Sequence, residues 1–214
     1  MAYLLSLLLA YVIGTFPTAY LLVKLAQRID LRRAGSTNIG ALNAYEVTGS
    51  RLIGASVALI DMLKGALAVW VSYNIGLHYA NVFDPFLFKS LGLIGVVAGH
   101  NYNLWLSLSA GKLSGGKGLA AAAGGLLLTM PLLIPLWIVT HYIGRWLFAQ
   151  WRGINDVIPG NVFATSLFPV FAWLLYGPQG AYIGLILAAL VIPKHVHQMQ
   201  ELLHPPAADQ DASD

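Results

Sequence analysis

The sequence predicts an all-α integral membrane protein with seven transmembrane helices, some of them short or broken. Three observations carry that prediction. Hydrophobic residues make up 57% of the 214-residue chain and charged residues only 10%, with a mean hydropathy of +0.68, whereas an average soluble domain is roughly 25% charged. Apolar runs of about 20 residues recur, the length a helix needs to cross roughly 30 Å of hydrocarbon. The basic residues between those runs sort almost entirely to one side of a seven-span arrangement. The 22 Gly and 10 Pro point to close helix contacts or broken helices rather than a uniform leucine bundle. The lack of any Cys excludes disulfides, Fe–S clusters, thiolate zinc and thiol nucleophiles. A net charge of +3 and a pI near 9.2 are read through membrane topology, not nucleic-acid binding.

In chain order, Ala2 to Ala26 lacks a basic leading segment and a small-residue cleavage site, so it reads as a retained first span and not a secretory signal. Leu52 to Leu77 is the second span and contains Asp61 and Lys64; the shorter Phe86 to Gly99 is the third. The block Leu119 to Phe148 would form a helix about 45 Å long, too long for one crossing without strong tilt. Thr129-Met130-Pro131, followed by Pro135, marks a break into two short helices. Asn161 to Tyr176 and Ala181 to Pro193 complete the seven. With the block divided, Lys24, Arg28, Arg32, Arg33, Arg51, Lys112, Lys117, Arg145, Arg152 and Lys194 share one side and only Lys89 lies opposite. That asymmetry places the N-terminus outside and the C-terminus in the cytoplasm. Residues 1–203 read as one polytopic domain, and 204–214, with Pro205, Pro206 and three aspartates, as a disordered cytoplasmic tail. No internal repeat of the kind common in transporters is clear.

Two loops have the composition of anion sites. Arg32 to Asn43 holds two glycines, two asparagines and a serine directly after a span. Freed backbone N–H groups with Ser and Asn side chains suit a phosphate or polar headgroup; the plainer reading is a basic cytoplasmic turn. In the second loop, Ser114-Gly115-Gly116-Lys117-Gly118 runs straight into the helical Leu119-Ala120-Ala121-Ala122-Ala123. Flexible donors, the positive end of a helix dipole and a fixed charge make a phosphate cradle. Gly111 and Gly116-Lys117 nearly meet a Walker A spacing, but Gly118 stands where the magnesium-binding Ser or Thr belongs and no strand precedes the loop. Asp61 and Lys64, three apart in a span, share a helix face, either as a structural ion pair or as support for a site. His100 and His195 stand at helix ends; His195, His197 and His204 lack the carboxylate pattern of a zinc helix. The pair His204 and Asp209 matches the spacing of a general-base dyad, but it sits in the Pro-Ala tail, which has no means of holding such geometry.

These residues resemble the bacterial membrane acyl-phosphate:glycerol-3-phosphate acyltransferases. Ala10-Tyr11-Val12-Ile13-Gly14-Thr15-Phe16-Pro17 and Leu59-Ile60-Asp61-Met62-Leu63-Lys64-Gly65 look like that family's first two helices. Its first motif, Gly-Ser-Gly-Asn-x-Gly-Ala-Thr-Asn-x-x-Arg, is met by Gly35, Ser36, Asn38, Gly40, Ala41 and Asn43; its second by His100 and Gly115 to Gly118. The resemblance covers about the first 125 residues strongly. It implies a seven-helix enzyme of the bacterial inner membrane, its active site facing the cytoplasm, making lysophosphatidic acid for phospholipid biosynthesis from acyl phosphate and glycerol 3-phosphate. Implied catalytic residues are Ser36, His100, Lys117 and His195. Gly35, Asn38, Gly40, Asn43, Gly115, Gly116 and Gly118 are the implied substrate-binding residues. No metal, cofactor or nucleic acid is implied; the partners are acyl phosphate, a small polar acyl acceptor and membrane lipids. Thr37 replaces a motif glycine, Leu42 a threonine and Glu46 an arginine. The closing pattern His-Arg-x-Asn-Ile-x-Arg-Leu is reduced to His195-Val196-His197-Gln198-Met199-Gln200-Glu201-Leu202, and the stretch from His100 to Gly115 is about five residues longer than usual. Arginine binds phosphate bidentately and glutamate repels it. Glu46 and Glu201 at the acceptor site would therefore favour a less anionic acceptor. The same departures are compatible with a catalytically impaired homologue or a transporter.

Overall fold

The computed structural model describes residues 1–204. The proposed tail, apart from His204, lies outside the described residues, as does Asp209. Ten α-helices and two short 3-10 turns account for the regular structure, with no strand among the described residues.

The first span is broken. α1 (Ala2–Gly14) and α2 (Thr18–Gln27) are separated at Thr15, Phe16 and Pro17, since proline has no N–H to give and drives the preceding residue out of the helical region. α3 (Ala41–Thr48) is short. α4 (Arg51–Tyr79) starts where the Ser50 hydroxyl accepts from the Ile53 N–H, and α5 (Pro85–Asn101) starts where the Asp84 carboxylate accepts from Phe86 and Leu87. α6 (Leu104–Ala110) occupies the long stretch after His100. The block from Leu119 divides, as the sequence predicts, into α7 (Leu119–Thr129) and α8 (Leu133–Arg152). α9 (Val157–Val191) is interrupted at Gly177, whose φ of 67° and ψ of −162° precede Pro178. Gly180 packs on Ala172 and Gly184 on Pro169, so residues 157–176 and 178–191 fold back on one another as the sixth and seventh spans. A 3-10 turn at Ile192–His195 leads into α10 (Val196–Leu203).

Ala2–Gln27, Arg51–Tyr79 and the α9 region are long and apolar enough to cross a membrane by themselves; the remaining crossings are shorter or less apolar. Packing explains the glycines. A Cβ on Gly14 would enter the Val96 carbonyl, and one on Gly99 the carbonyl of Tyr11; Gly65 and Gly124 meet the backbones of Ala121 and Met62 in the same way. α1 thus touches α5, and α4 touches α7, backbone to backbone, the contact that small residues permit inside a membrane. One core of Ala10, Ala68, Val69, Leu93, Val96, Leu126 and Phe168 joins these helices to α9. This packing brings the break after α1, the end of α5 and the start of α7 together at one membrane face.

Candidate active site

Asn43 is the main organiser of the loop from Asp30 to Gly40. Asn43, fully buried in the first turn of α3, accepts from the Ser36 N–H at 3.0 Å and donates to the carbonyls of Ala34 and Asn38 at 3.1 and 2.8 Å. Gly35 turns with a φ of 57° in a space where a Cβ would strike the Asn43 amide oxygen. Thr37 also has a φ of 57°, an uncommon conformation for a β-branched residue. At the start of the loop, Asp30 receives Arg32 at 2.6 Å, and the hydrogen bond from that guanidinium is the main cause of the Asp30 carboxyl pKa falling to about 2.

The glycine-rich loop packs onto the end of α5. Gly116 donates its N–H to the His100 carbonyl at 2.9 Å, and a Cβ there would collide with the His100 imidazole; at Gly115 it would meet the Asn101 carbonyl. These two glycines therefore serve close approach to α5. Gly118 is the one that turns, at a φ of 79°, and with Leu119 and Ala120 it exposes the N-terminus of α7, which no side chain caps. Ile39 donates to the Gly115 carbonyl at 3.4 Å, tying the two loops together.

Between them opens a polar cavity of about 260 Å³. Ser36, Asn38, Gly40 and Asn43 line one side; Lys117 and Gly118 another; His100 and Asp61 also line it. Lys117 donates to the Gln198 side chain. Burial lowers the Lys117 pKa to about 8, opposed by the carboxylates of Asp156 and Glu46. Asp61 pairs with Lys64 at 2.9 Å and lies 3.8 Å from His100 Nδ1, while Lys64 also donates to the Phe16 carbonyl at 3.1 Å. The pair serves both structure and site: Lys64 ties α4 to the break after α1, and Asp61 lines the cavity.

His195 is fully buried but is not on the cavity wall. Its Nδ1–H donates to the Val191 carbonyl at 3.0 Å, which leaves Nε2 to accept from the Asn161 side chain at 3.3 Å. Asn161 itself lines the cavity. Glu46 lines it too, whereas Glu201 is exposed on α10, 3.4 Å from His197, so only one of the two glutamates is at the site. Sequence reasoning missed Asp156, Asn161 and Gln198, all on the wall. Asn161 had a signal, as a lone amide among the apolar residues that open the sixth span; Asp156 reads as a helix cap, which it also is, accepting from Ile158 at 2.7 Å.

A second chamber of about 270 Å³ adjoins the first at Leu119, which lines both. Its wall of Met62, Ala122, Leu126, Trp137, Phe168 and Leu187, from α4, α7, α8 and α9, is almost wholly apolar.

The fold and site together define a polytopic helical membrane protein in which a polar cavity bearing a lysine and a glycine-rich helix start adjoins an apolar chamber. The family model for glycerol-3-phosphate acyltransferase matches residues 4–205, and the chain belongs to that family. It is 30% identical over 206 residues to the glycerol-3-phosphate acyltransferase of Syntrophotalea carbinolica, covering 95% of each chain, and 34% identical over 194 residues to that of Geobacter sulfurreducens, covering 90% of each. In fold it is similar to crystal structures of PlsY, an integral membrane glycerol 3-phosphate acyltransferase, in its glycerol 3-phosphate and lysophosphatidic acid forms. The TM-score is 0.72 for both, at 24% and 23% identity, over 95% of this chain and 92% of those.

Proposed function

We propose that this protein transfers a fatty acyl group from acyl phosphate to the 1-hydroxyl of glycerol 3-phosphate, giving lysophosphatidic acid for phospholipid biosynthesis. The observation that carries the reading is the junction at Leu119, where the apolar chamber meets the cavity bearing Lys117 and the uncapped start of α7. The acyl chain occupies the chamber, which removes its methylenes from water. The donor phosphate lies at Lys117 and the α7 N-terminus, where a positive dipole end and a lysine stabilise negative charge. Ser36 and Asn38 border the same space and orient the substrates.

The acceptor oxygen bonds to the carbonyl carbon, the bond from that carbon to the phosphate oxygen breaks, and inorganic phosphate leaves. The hydroxyl proton passes to a phosphate oxygen, and because the acceptor oxygen attacks the acyl carbon directly, no acyl-enzyme forms. Charge developing on the leaving phosphate is what Lys117 stabilises. His100, backed by Asp61, fixes the glycine loop through its carbonyl and presents its ring to the cavity. His195 is a positioning residue: it holds Asn161 toward the substrates. Gly35, Gly40 and Asn43 shape the first loop, and Gly115, Gly116 and Gly118 the second. Residues 1–203 form the catalytic domain, in a bacterial inner membrane with the cavity facing the cytoplasm, a topology supported by the ten-to-one division of loop cations. Of the two glutamates that would favour a less anionic acceptor, Glu46 lines the cavity and Glu201 does not.

The test is an assay of purified protein with acyl phosphate and a panel of acceptors. Lysophosphatidic acid from glycerol 3-phosphate is the expected product; transfer to uncharged acceptors alone overturns the reading. Labelling a Leu113→Cys variant from the outside of intact cells would overturn the topology.

A further inference from the structure

Two phosphate groups must be accommodated if the proposed reaction is right, each carrying close to two negative charges near neutral pH. The polar cavity is poorly equipped for both. Among its lining residues Lys117 is the single Lys or Arg, against the carboxylates of Glu46, Asp61 and Asp156. Beside it lies a vestibule of about 340 Å³ with the opposite balance: Arg32, Lys112, Lys117, Lys194 and His197 line it and, among the described residues, no carboxylate does. The two spaces share Ser36, Asn38, Lys117 and Gln198.

The cations of this vestibule differ in what already occupies them. Arg32 is committed to Asp30 at 2.6 Å and to the Ser109 hydroxyl at 2.7 Å. Lys117 is at the junction and donates to Gln198. Among the described residues, Lys112 and Lys194 have neither a carboxylate partner nor a side-chain hydrogen bond. Lys194 is nevertheless held in place, half-buried, with its Nζ 5.3 Å from the centre of the Tyr102 ring. Two other basic residues of this face are engaged elsewhere: Arg145 donates to Asn155 and Arg152 to the Leu203 carbonyl.

We propose that Lys112 and Lys194 form the acceptor's phosphate subsite, a phosphomonoester site in the vestibule from which the 1-hydroxyl of glycerol 3-phosphate reaches past Ser36 and Asn38 into the polar cavity. This rests on the proposed reaction. It gives the two dianions separate seats, the donor's at the start of α7 and the acceptor's outside it, with Lys117 between them. It also gives Glu46 a consistent place, since a carboxylate beside the one lysine of the polar cavity opposes a second phosphate there and leaves the vestibule as the favourable side for it.

The experiment measures glycerol 3-phosphate binding by calorimetry, and KM for each substrate, on the purified full chain and on Lys112→Gln, Lys194→Gln and the double variant. Losing a charge-assisted contact is expected to weaken glycerol 3-phosphate binding and raise its KM about 10-fold for each lysine, while KM for acyl phosphate moves less than about threefold. Lys112→Arg, which keeps the charge at an exposed position, is expected to retain more glycerol 3-phosphate affinity than Lys112→Gln. Unchanged glycerol 3-phosphate affinity in Lys112→Gln and Lys194→Gln, or an equal loss of donor affinity, overturns the subsite. Repeating the titration in nanodiscs of zwitterionic lipid with and without phosphatidylglycerol separates a soluble phosphate from a lipid headgroup; abolition of binding by the anionic lipid overturns the proposal. If the protein turns over no acyl phosphate yet binds glycerol 3-phosphate in a lysine-dependent manner, the reaction falls and the subsite stands.

Discussion

Replacing Lys117 tests the donor cradle most directly. Among the described residues the side chain is the single Lys or Arg on the polar cavity wall, half-buried beside Asp156 and Glu46. A hydrogen bond to a charged group is worth about 1.5 to 3 kcal/mol, so Lys117→Gln is expected to weaken donor affinity roughly 10- to 150-fold. Further loss in kcat is expected where the charge acts on the leaving phosphate. The pH profile adds a second reading. Burial lowers the Lys117 pKa to about 8, so in the free protein the ammonium is present below that pH and lost as pH rises through it. Donor affinity in the wild type is therefore expected to fall above about pH 8. Lys117→Arg stays charged over that range and is expected to abolish the alkaline decline, even where its different shape lowers the rate. The assay is acyl-phosphate saturation kinetics from pH 6.5 to 9.5, with the fold checked by thermal unfolding in detergent. A Lys117→Gln protein that folds and keeps its donor affinity would refute the argument and leave the glycine turn as a helix start with no ligand.

Asn43→Ala leaves the Ser36 N–H and two carbonyls without their buried partner; a stability loss of about 2 kcal/mol, together with a marked rise in KM for both substrates, is expected by thermal unfolding and kinetics. Thr37→Gly relieves a left-handed β-branched residue at a cost of about 1 to 2 kcal/mol, partly offset by added chain entropy; Tm is expected to rise by about 1 to 3 °C. A fall in Tm would show that the Thr37 side chain contributes more than its backbone costs. Ala122→Leu places three extra carbons in the apolar chamber, and a shift of preference toward shorter acyl phosphates is expected in a competition assay; an unchanged profile would put the chain elsewhere.

What the sequence shows and what it hides divide along a physical line. Hydropathy and helix-stop residues act over a few neighbours, so the broken 119–148 block, the reversal near Gly177 and the seven spans are all legible in short stretches of sequence. The two loops are legible for the same reason: Gly, Asn, Ser and Lys crowd into short segments whose composition already names their chemistry. Rotation about a helix axis is another matter. Hydropathy places Asn161 in a span without saying which way it faces, and only the hairpin of α9 packed on α5 and α8 turns it into the cavity. The same limit explains His195, whose place at a helix end does not reveal that its imidazole turns back onto Val191 and reaches the cavity through Asn161.

Gln198 and Glu201 make the point at closest range. They lie three residues apart on α10, about 4.5 Å along the axis, and the motif comparison weighs both as losses. Gln198, in the first turn, reaches Lys117 and closes the cavity, whereas Glu201, one turn further, has left the wall and faces His197. The repulsion expected between acceptor phosphate and this pair therefore falls on Glu46 alone. The unpaired lysines of the neighbouring vestibule stand where a phosphate can avoid it. An arginine missing from a motif position thus does not by itself remove the acceptor. What decides is where the remaining cations lie, and here Lys112 and Lys194 line the adjoining vestibule with no carboxylate partner among the described residues.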